Sequence, residues 1–509
     1  MFLPVDDDFF VTTYKPSRED YRKLATEHPV VPVWREVLAD TQTPVAAFLR
    51  LDPSPNGFLL ESVEGGERWA RYSFLGGDAF AVIKATGGRV TIEGDVPVSP
   101  EDGESPLAYV RRLLEALHSP RVEELPPLHG GAVGYLGYDC MRELEDLPES
   151  PPDDLGLPDL ALILTRTMVV FDHLSQKAFV IANCVQPTDP DAAYTDAIER
   201  IDAVVDQLSA PLAGTAPGIE MAGDVEFSSP VSDGEYEGWV ATAREHIYAG
   251  DIFQVVPSRR FQAPLHRSAF DTYRALRTVN PSPYMYFLRF AGESDHPDVE
   301  IAGSSPEPLV QVHDDLVTTR PIAGTRPRGA TEEEDLAAEK DLLDDVKERA
   351  EHVMLVDLAR NDVGRVARYG SVEVDELMVI ERYSHVMHIV SSVTGLLRQD
   401  MTAFDALTAC FPAGTVSGAP KIRAMEIIDS LERTKRGPYA GVVGYFDFSG
   451  NLDTCITIRT IVASEGIAYV QAGAGIVADS VPANEAEETR NKAAALLRAV
   501  AAGRTPDQF

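Results

Sequence analysis

Two pairs of glutamates share one spacing. Glu348 and Glu351 lie three residues apart in a stretch of helical periodicity, and Glu485 and Glu488 repeat that spacing near the C-terminus. Residues three apart on a helix project from one face. A solvated acidic face is the commonest use of such a pair. The first pair differs because Ala350, Val353 and Met354 flank it. A carboxylate in apolar surroundings needs a cation or hydrogen-bond donors to offset desolvation. Two such pairs facing each other would hold one hard divalent ion through oxygen ligands.

Other residues with chemistry in them carry weaker signals. His388 lies in the apolar run HVMHIVSS, where a lone histidine is usually a core residue, and His352 and His385 are equally eligible on spacing. Arg459 lies in CITIRTIV and needs a buried anionic partner there. Lys492 is one helical turn beyond Glu488, the spacing of an i,i+4 ion pair. GTVSGAPK (414–421) fails as a phosphate loop, since three residues rather than four separate its glycines and Pro420 precedes Lys421. It reads instead as a loop leading into a helix with Pro420 at the first turn, whose free N–H groups can bind a carboxylate. QAGAGIV (471–477) is a glycine-rich strand end that suits either a bulge or close approach of backbone to a small anion. No cysteine sits in a sharp turn beside a base, so the chain shows no glutaminase nucleophile of its own.

The elements that must position these residues alternate between two periods. Thr331 and Glu334 are spaced as a capping box, and apolar residues at helical spacing predict one helix over about 336–362. Further helices are expected from Ser17 to His28, Leu107 to His118 and Ala192 to Leu208, after Ser232, and near Pro420 and Asn484. PVAAFLRL (44–51), GFLLES (57–62), WARYSFLG (69–76) and FAVIKATGGRVTI (80–92) read as strands separated by turn residues, and 161–185 as a hairpin. More strand-like runs lie at 252–261, 284–290, 299–312 and 317–324, and at 371–377, 385–397, 441–448, 455–463 and 467–477. Between Ala210 and Val231 the composition turns to Pro, Gly, Ala and Ser, which marks a linker (210–231) between an N-terminal part (1–209) and a C-terminal part (232–509). Mixed strands and helices with several hairpins predict an α+β fold in layers. GxVGY occurs twice, at 131–135 and 441–445, more readily a coincidence than an internal repeat.

Composition narrows the function. The chain has 509 residues, 44% of them apolar, and a net charge of −36. That charge repels nucleic acid and anionic membranes. The N-terminus lacks a signal peptide's basic and apolar regions, and no apolar run is long enough to span a bilayer. Four widely spaced cysteines form no CxxC, which fits a reducing, cytoplasmic location.

Taken together, LLES (59–62), GDIFQVVPSRRF (250–261), NPSPYMYF (280–287), RPIAGTRPRG (320–329), EHVMLVDLARND (351–362), VMH (386–388), GAPKIRAMEII (418–428), GPYAGVVGYF (437–446), the ITIRT strand, AGAGIV and EAEETRNKA (485–493) form an ordered set. On this set the chain resembles the chorismate-utilising enzymes, in the branch of the anthranilate synthase large subunit. The likeness runs from about residue 10 to 503. It implies a large α/β sandwich of two packed β-sheets surrounded by helices, with a chorismate-binding C-terminal part and an N-terminal part that closes over it. It implies Mg²⁺-dependent addition of ammonia to chorismate, then elimination of pyruvate to give anthranilate, the first committed step of tryptophan biosynthesis.

The resemblance also implies roles for residues. Glu351 and Glu488 match direct metal ligands, with Glu348 and Glu485 binding through water. Arg459 and Tyr439 fall where the enolpyruvyl carboxylate is gripped. Gly324, Thr325, Thr415, Gly473, Ala474, Gly475 and Lys492 fall at other substrate contacts. Glu307 sits where a general acid protonates the departing hydroxyl, and His388, rather than His385, matches the histidine linked to pyruvate elimination. Gln254 stands where water-adding relatives carry a Lys base, and a glutamine cannot take a proton. Ala323 stands where aminodeoxychorismate synthases carry a Lys nucleophile. Glu61, Ser62, Pro283, Met285, Tyr286 and Tyr445 match a tryptophan feedback pocket. A separate glutamine amidotransferase subunit and a heterotetramer are implied. The alternatives are a synthase of aminodeoxychorismate or aminodeoxyisochorismate, and a catalytically silent tryptophan-binding subunit.

Overall fold

A computed structural model of the chain describes residues 13–51, 55–62, 71–212, 227–292, 297–383 and 386–502. His385 and most of the 210–231 segment lie outside them. Among the described residues, nineteen strands join in one antiparallel ladder. Its two wings meet along the strands Tyr72–Thr86 and Leu160–Asp172, which pair over almost their full lengths.

The first wing continues from those strands through Gly57–Glu61, Tyr284–Phe290, Val299–Ser305, Thr460–Ser464 and Ile467–Gly473 to Ser258–Pro264. The second runs through Gly131–Leu136, Val442–Asp447, Leu452–Ile456, Pro308–His313 and Leu316–Thr319 to Val386–Leu396. That last strand pairs with Ile322–Pro327 on one side and Glu373–Arg382 on the other. Residues from both sides of the 210–231 segment supply strands to both wings, so the two parts share one framework.

The wings pack face to face. Phe58, Leu288, Phe290, Ile301 and Val462 of the first meet Val133, Tyr135, Val443, Tyr445 and Cys455 of the second in one buried cluster. The helices Pro190–Ser209, Ala269–Val279 and Pro482–Ala501 cover the outer face of the first wing. Pro106–Ala116, Val346–Val366 and Ala403–Cys410 cover the second. Each wing thus buries apolar surface on both sides, which explains why many strands read as continuous apolar runs rather than as alternation. This is the layered α+β sandwich the pattern predicts. The four cysteines are free and buried within it.

Three local expectations change. Residues 44–51 form a helix, Pro44–Leu51, instead of a strand. Pro44 opens it, Thr43 Oγ1 accepts a bond from Ala46 N at 3.2 Å, and Pro44, Ala47 and Phe48 form its buried face. The acidic stretch is two helices, Glu332–Asp344 and Val346–Val366, rather than one. Asp345 breaks it: the residue is extended, and its carboxylate accepts from the N–H groups of Lys347 and Glu348. Pro420 is the residue before the helix Lys421–Leu431, not its first turn. The two GxVGY strings lie hydrogen-bonded to each other, antiparallel, with Gly134 opposite Gly444.

Candidate active site

The chain crosses from one wing to the other at two adjacent places. Val299–Ser305 belongs to the first wing and Pro308–His313 to the second, so the chain crosses at Pro306 and Glu307. Leu452–Ile456 and Thr460–Ser464 make the reverse crossing through Thr457, Ile458 and Arg459. Backbone bonds Ile456 N to Glu307 O (3.0 Å) and Ser304 N to Arg459 O (3.1 Å) hold the crossings side by side. Arg459 has φ +51°, a conformation that non-glycine residues rarely adopt. The interruption of the CITIRTIV run at Arg459 is thus a bend that aims one side chain.

Both residues line a cavity of about 600 Å³. Its wall also includes Gln254, Gly324, Thr325, Glu348, Glu351 and His388, together with Thr415, Tyr439, Gly473, Gly475, Glu485, Glu488 and Lys492. Ten separate segments of the chain bring these residues together. Of the residues expected at the catalytic, substrate and metal sites, Ala474 alone falls outside that wall. Its side chain is buried among Tyr236, Val255 and Ile476, and its N–H donates to Tyr236 Oη at 3.2 Å.

The polar groups divide into partnered and waiting ones. Thr415 Oγ1 donates to Glu307 Oε1 at 2.9 Å. Burial pushes the Glu307 carboxyl up to about 7, against the pull of Thr415, Lys492 and Arg459. The Arg459 guanidinium makes no side-chain hydrogen bond or ion pair with any described residue, and burial lowers its pKa. A desolvated guanidinium without a partner is a seat for a carboxylate. Burial pushes the Tyr439 hydroxyl up to about 12, so it stays a neutral donor. His388 Nδ1 lies 3.0 Å from both Gly324 O and Thr325 Oγ1. Donation from Nδ1 to that carbonyl leaves Nε2 as the basic atom, and burial holds the ring's pKa below its ordinary value.

The four glutamates come from two helices and border one cavity. Among the described residues, no three His, Cys, Asp or Glu side chains are drawn close enough to grip a metal ion. Each of the four has another partner. Arg326 Nη1 is 3.4 Å from Glu348 Oε1, and Gln254 Nε2 donates to Glu351 Oε1 at 3.3 Å. Lys492 Nζ is 2.7 Å from Glu488 Oε1 and donates to Gly473 O at 2.9 Å. Ser480 bonds Glu485. Burial raises the pKa of Glu351 and of Glu485, and the neighbouring charges of Glu348 and Glu488 add to it for Glu351, as Glu488 does for Glu485. Desolvated carboxylates that repel one another, all with oxygen donors, fit a hard divalent cation.

Sequence reasoning missed Lys347, Gln471 and Ser480, which also line the cavity. The charge of Lys347 acts on both Glu351 and Glu485, one from each helix. Its i,i+4 spacing to Glu351 was visible in the sequence. Beneath the floor, Arg436 pairs with Glu432 (Nη2 to Oε1, 2.6 Å) and donates to the carbonyls of Val256 and Val416, two residues of the cavity wall.

A second cavity of about 1070 Å³ opens between the wings. Glu61, Ser62, Pro283, Met285, Tyr286 and Tyr445, the six residues expected to form a regulatory pocket, all border it. Two of them turn their side chains outward. Glu61 accepts from Tyr273 Oη (2.6 Å) and Arg277 Nη2 (3.0 Å), and Met285 packs in the cluster of the outer face. Ser62 Oγ is buried without a partner among the described residues. Tyr284 Oη and Gln311 Nε2 donate to Asp453, whose pKa burial raises to about 6.

A family model described as chorismate binding enzyme matches residues 62–498. The chain belongs to the chorismate-binding enzymes. It is 50% identical to anthranilate synthase component 1 of Mycolicibacterium smegmatis over 501 residues, covering 96% of this chain and 94% of that one. It is 48% identical to the same component of Acetivibrio thermocellus over 492 residues, covering 96% and 98%. The crystal structure of anthranilate synthase component I from Streptococcus pneumoniae superposes with a TM-score of 0.74 at 38% identity, covering 91% of this chain and 99% of that one. The menaquinone-specific isochorismate synthase of Escherichia coli shares the fold, with a TM-score of 0.68 at 19% identity, covering 95% and 98%. Among the described residues of this family member, no helix is long and apolar enough to cross a membrane.

Proposed function

We propose that the chain is the large subunit of an anthranilate synthase, which aminates chorismate with ammonia and releases pyruvate to form anthranilate. Support comes from one observation above the rest: Arg459, Glu307 and His388 border the same cavity as the two glutamate pairs.

Glu351 and Glu488, with Glu348 and Glu485 behind them, would hold Mg²⁺, which when bound neutralises the ring carboxylate of the substrate. The guanidinium of Arg459, unpaired among the described residues and with the Tyr439 hydroxyl near it in the wall, takes the enolpyruvyl carboxylate. Glu307, which holds its proton up to about pH 7, donates it to the departing 4-hydroxyl as ammonia adds at C2, and water leaves. His388 Nε2 then takes the proton from C2 as the C3–O bond to the enolpyruvyl group breaks. Thr325 and the Gly324 carbonyl keep the ring oriented for that transfer. Gly324 has φ +64°, and a Cβ there would meet Leu342 and the Glu348 carboxylate, so the strand approaches the acidic helix only without a side chain.

Two wall residues disfavour the sister activities. Gln254 donates to Glu351 and cannot activate water. Ala323 borders the cavity and offers no amine to form an adduct. Ammonia reaches the site from a glutamine amidotransferase partner, in keeping with the name component 1 carried by the relatives. The larger cavity between the wings suits tryptophan as a feedback inhibitor. It is apolar along Phe74, Tyr286 and Tyr445, and it offers as polar anchors Asp453 and the Ser62 hydroxyl, which has no partner among the described residues. A ligand wedged between the wings would alter how the Glu307 and Arg459 crossings sit.

The test is a steady-state assay of chorismate, ammonium and Mg²⁺, with anthranilate read by fluorescence. Anthranilate is the expected product. Accumulation of aminodeoxyisochorismate, or formation of 4-amino-4-deoxychorismate, would assign the alternative activity.

A further inference from the structure

Arg326 lies in the RPIAGTRPRG string, two residues beyond Gly324, and outside the cavity wall. Its guanidinium nonetheless reaches three carboxylates, one on each acidic helix and one at the elbow between them. Nε is 2.8 Å from Asp341, Nη2 is 3.0 Å from Asp345, and Nη1 is 3.4 Å from Glu348. Asp345 ends one helix and caps the next, with its other carboxylate oxygen on the N–H groups of Lys347 and Glu348. Glu348 therefore stands where three constraints put it: the cap below, the guanidinium beside, and the bare Cα of Gly324, whose absent Cβ would fall 3.1 Å from Glu348 Oε2.

We propose that Arg326 is a positioning residue for Glu348, and through it sets the affinity of the glutamate cluster for a divalent cation. The claim rests on the reading of those glutamates as a cation seat. A planar guanidinium serves here because one rigid fork must satisfy three acceptors in different directions. The two shorter contacts fix the elbow between the helices. The longer one steadies Glu348 yet is weak enough to yield when a cation competes for the same oxygen. Partners that orient a ligating carboxylate typically change metal affinity by about 10–100-fold when removed.

The experiment titrates Mn²⁺ into the purified full chain, following free Mn²⁺ by electron paramagnetic resonance, and measures Mg²⁺ half-saturation of turnover alongside. Arg326→Ala is expected to weaken Mn²⁺ binding about 10-fold or more and to raise the Mg²⁺ half-saturation in parallel, while kcat at saturating Mg²⁺ changes far less. Arg326→Lys, which keeps the charge but not the fork, should recover part of the affinity. Asp341→Asn removes the closest partner from an exposed position and should give a smaller loss of the same kind, so the claim stays testable if Arg326→Ala fails to fold. Folded variants that bind Mn²⁺ as the parent does, or that lose kcat with unaltered Mn²⁺ binding, overturn the proposal. A parent chain that binds no Mn²⁺, or binds it equally after Glu351→Gln, overturns the cation seat itself along with the proposal.

Discussion

In the proposed reaction Glu307 and His388 would carry opposite proton duties, and their surroundings push their pKa values in opposite directions. Burial brings the carboxyl to about 7, so it holds its proton below that pH and loses it above. Burial lowers the imidazole, so it stays a free base at neutral pH. For anthranilate formation, kcat/KM should fall as pH rises through about 7, while the acid limb, set by His388, lies below the ordinary histidine value. Glu307→Gln should remove the alkaline limb and cost about 10²–10⁴ in turnover. An unchanged limb in a pH series would take the acid's role from Glu307. His388→Met should slow pyruvate release more than amination, so that aminodeoxyisochorismate builds up during a chromatographic time course. Equal loss of both steps would give His388 a different role. At this scale much was legible in the sequence. The glutamate pairs, Arg459 and Lys492 were marked by type and spacing, and Lys492 does make its i,i+4 pair with Glu488. Choosing His388 over its neighbours took the family resemblance, because an imidazole beside apolar residues looks the same whether it packs or reacts. Ala474 shows the converse limit: adjacency to Gly473 and Gly475, just past the end of the strand Ile467–Gly473, does not turn its side chain to the cavity.

Elements were harder to read where short signals compete. PVAAFLRL is apolar enough for a buried strand, and only Pro44 and two alanines argue for the helix it forms. There, Phe48 stacks on Phe270 at 4.6 Å, a contact between segments far apart in sequence. The break at Asp345 was hidden because helical periodicity runs through it. The capping carboxylate, not the apolar pattern, ends one helix and restarts the other. Beneath the cavity floor, the buried Arg436–Glu432 pair ties the loop at Val416 and the turn at Val256 to one helix end, and Glu432 also accepts from Ser258 N at 2.7 Å. Removing one member of a buried pair strands the other's charge. Glu432→Gln should therefore destabilise the chain by about 3–5 kcal/mol in denaturant unfolding. A loss of under about 1 kcal/mol would mean that solvent reaches the pair.

The whole molecule is built as two wings, and the proposed chemistry falls at their crossings. Sequence patterning gave the layered α+β class. It did not give the ladder, in which strands from opposite ends of the chain alternate, because pairing partners leave no local trace. Nor did it show that the two GxVGY strings are neighbours. The same architecture separates the two cavities. One opens between the wings, and the other lies where the chain passes from wing to wing. Ser62→Arg should fill the first without touching the second. Inhibition by tryptophan should be lost in a dose–response assay, with turnover in its absence retained. A variant inhibited as strongly as the parent would move the regulatory site elsewhere.

Turnover of chorismate and ammonium with and without free Mg²⁺ bears most directly on the central claim, that two facing glutamate pairs and Arg459 gather one anionic ring into the 600 Å³ cavity. Anthranilate should form with Mg²⁺, stop on chelation, return when Mg²⁺ is restored, and vanish in Glu351→Gln at any Mg²⁺ concentration. Anthranilate formed at an undiminished rate after chelation, or by the Glu351→Gln chain, would contradict it.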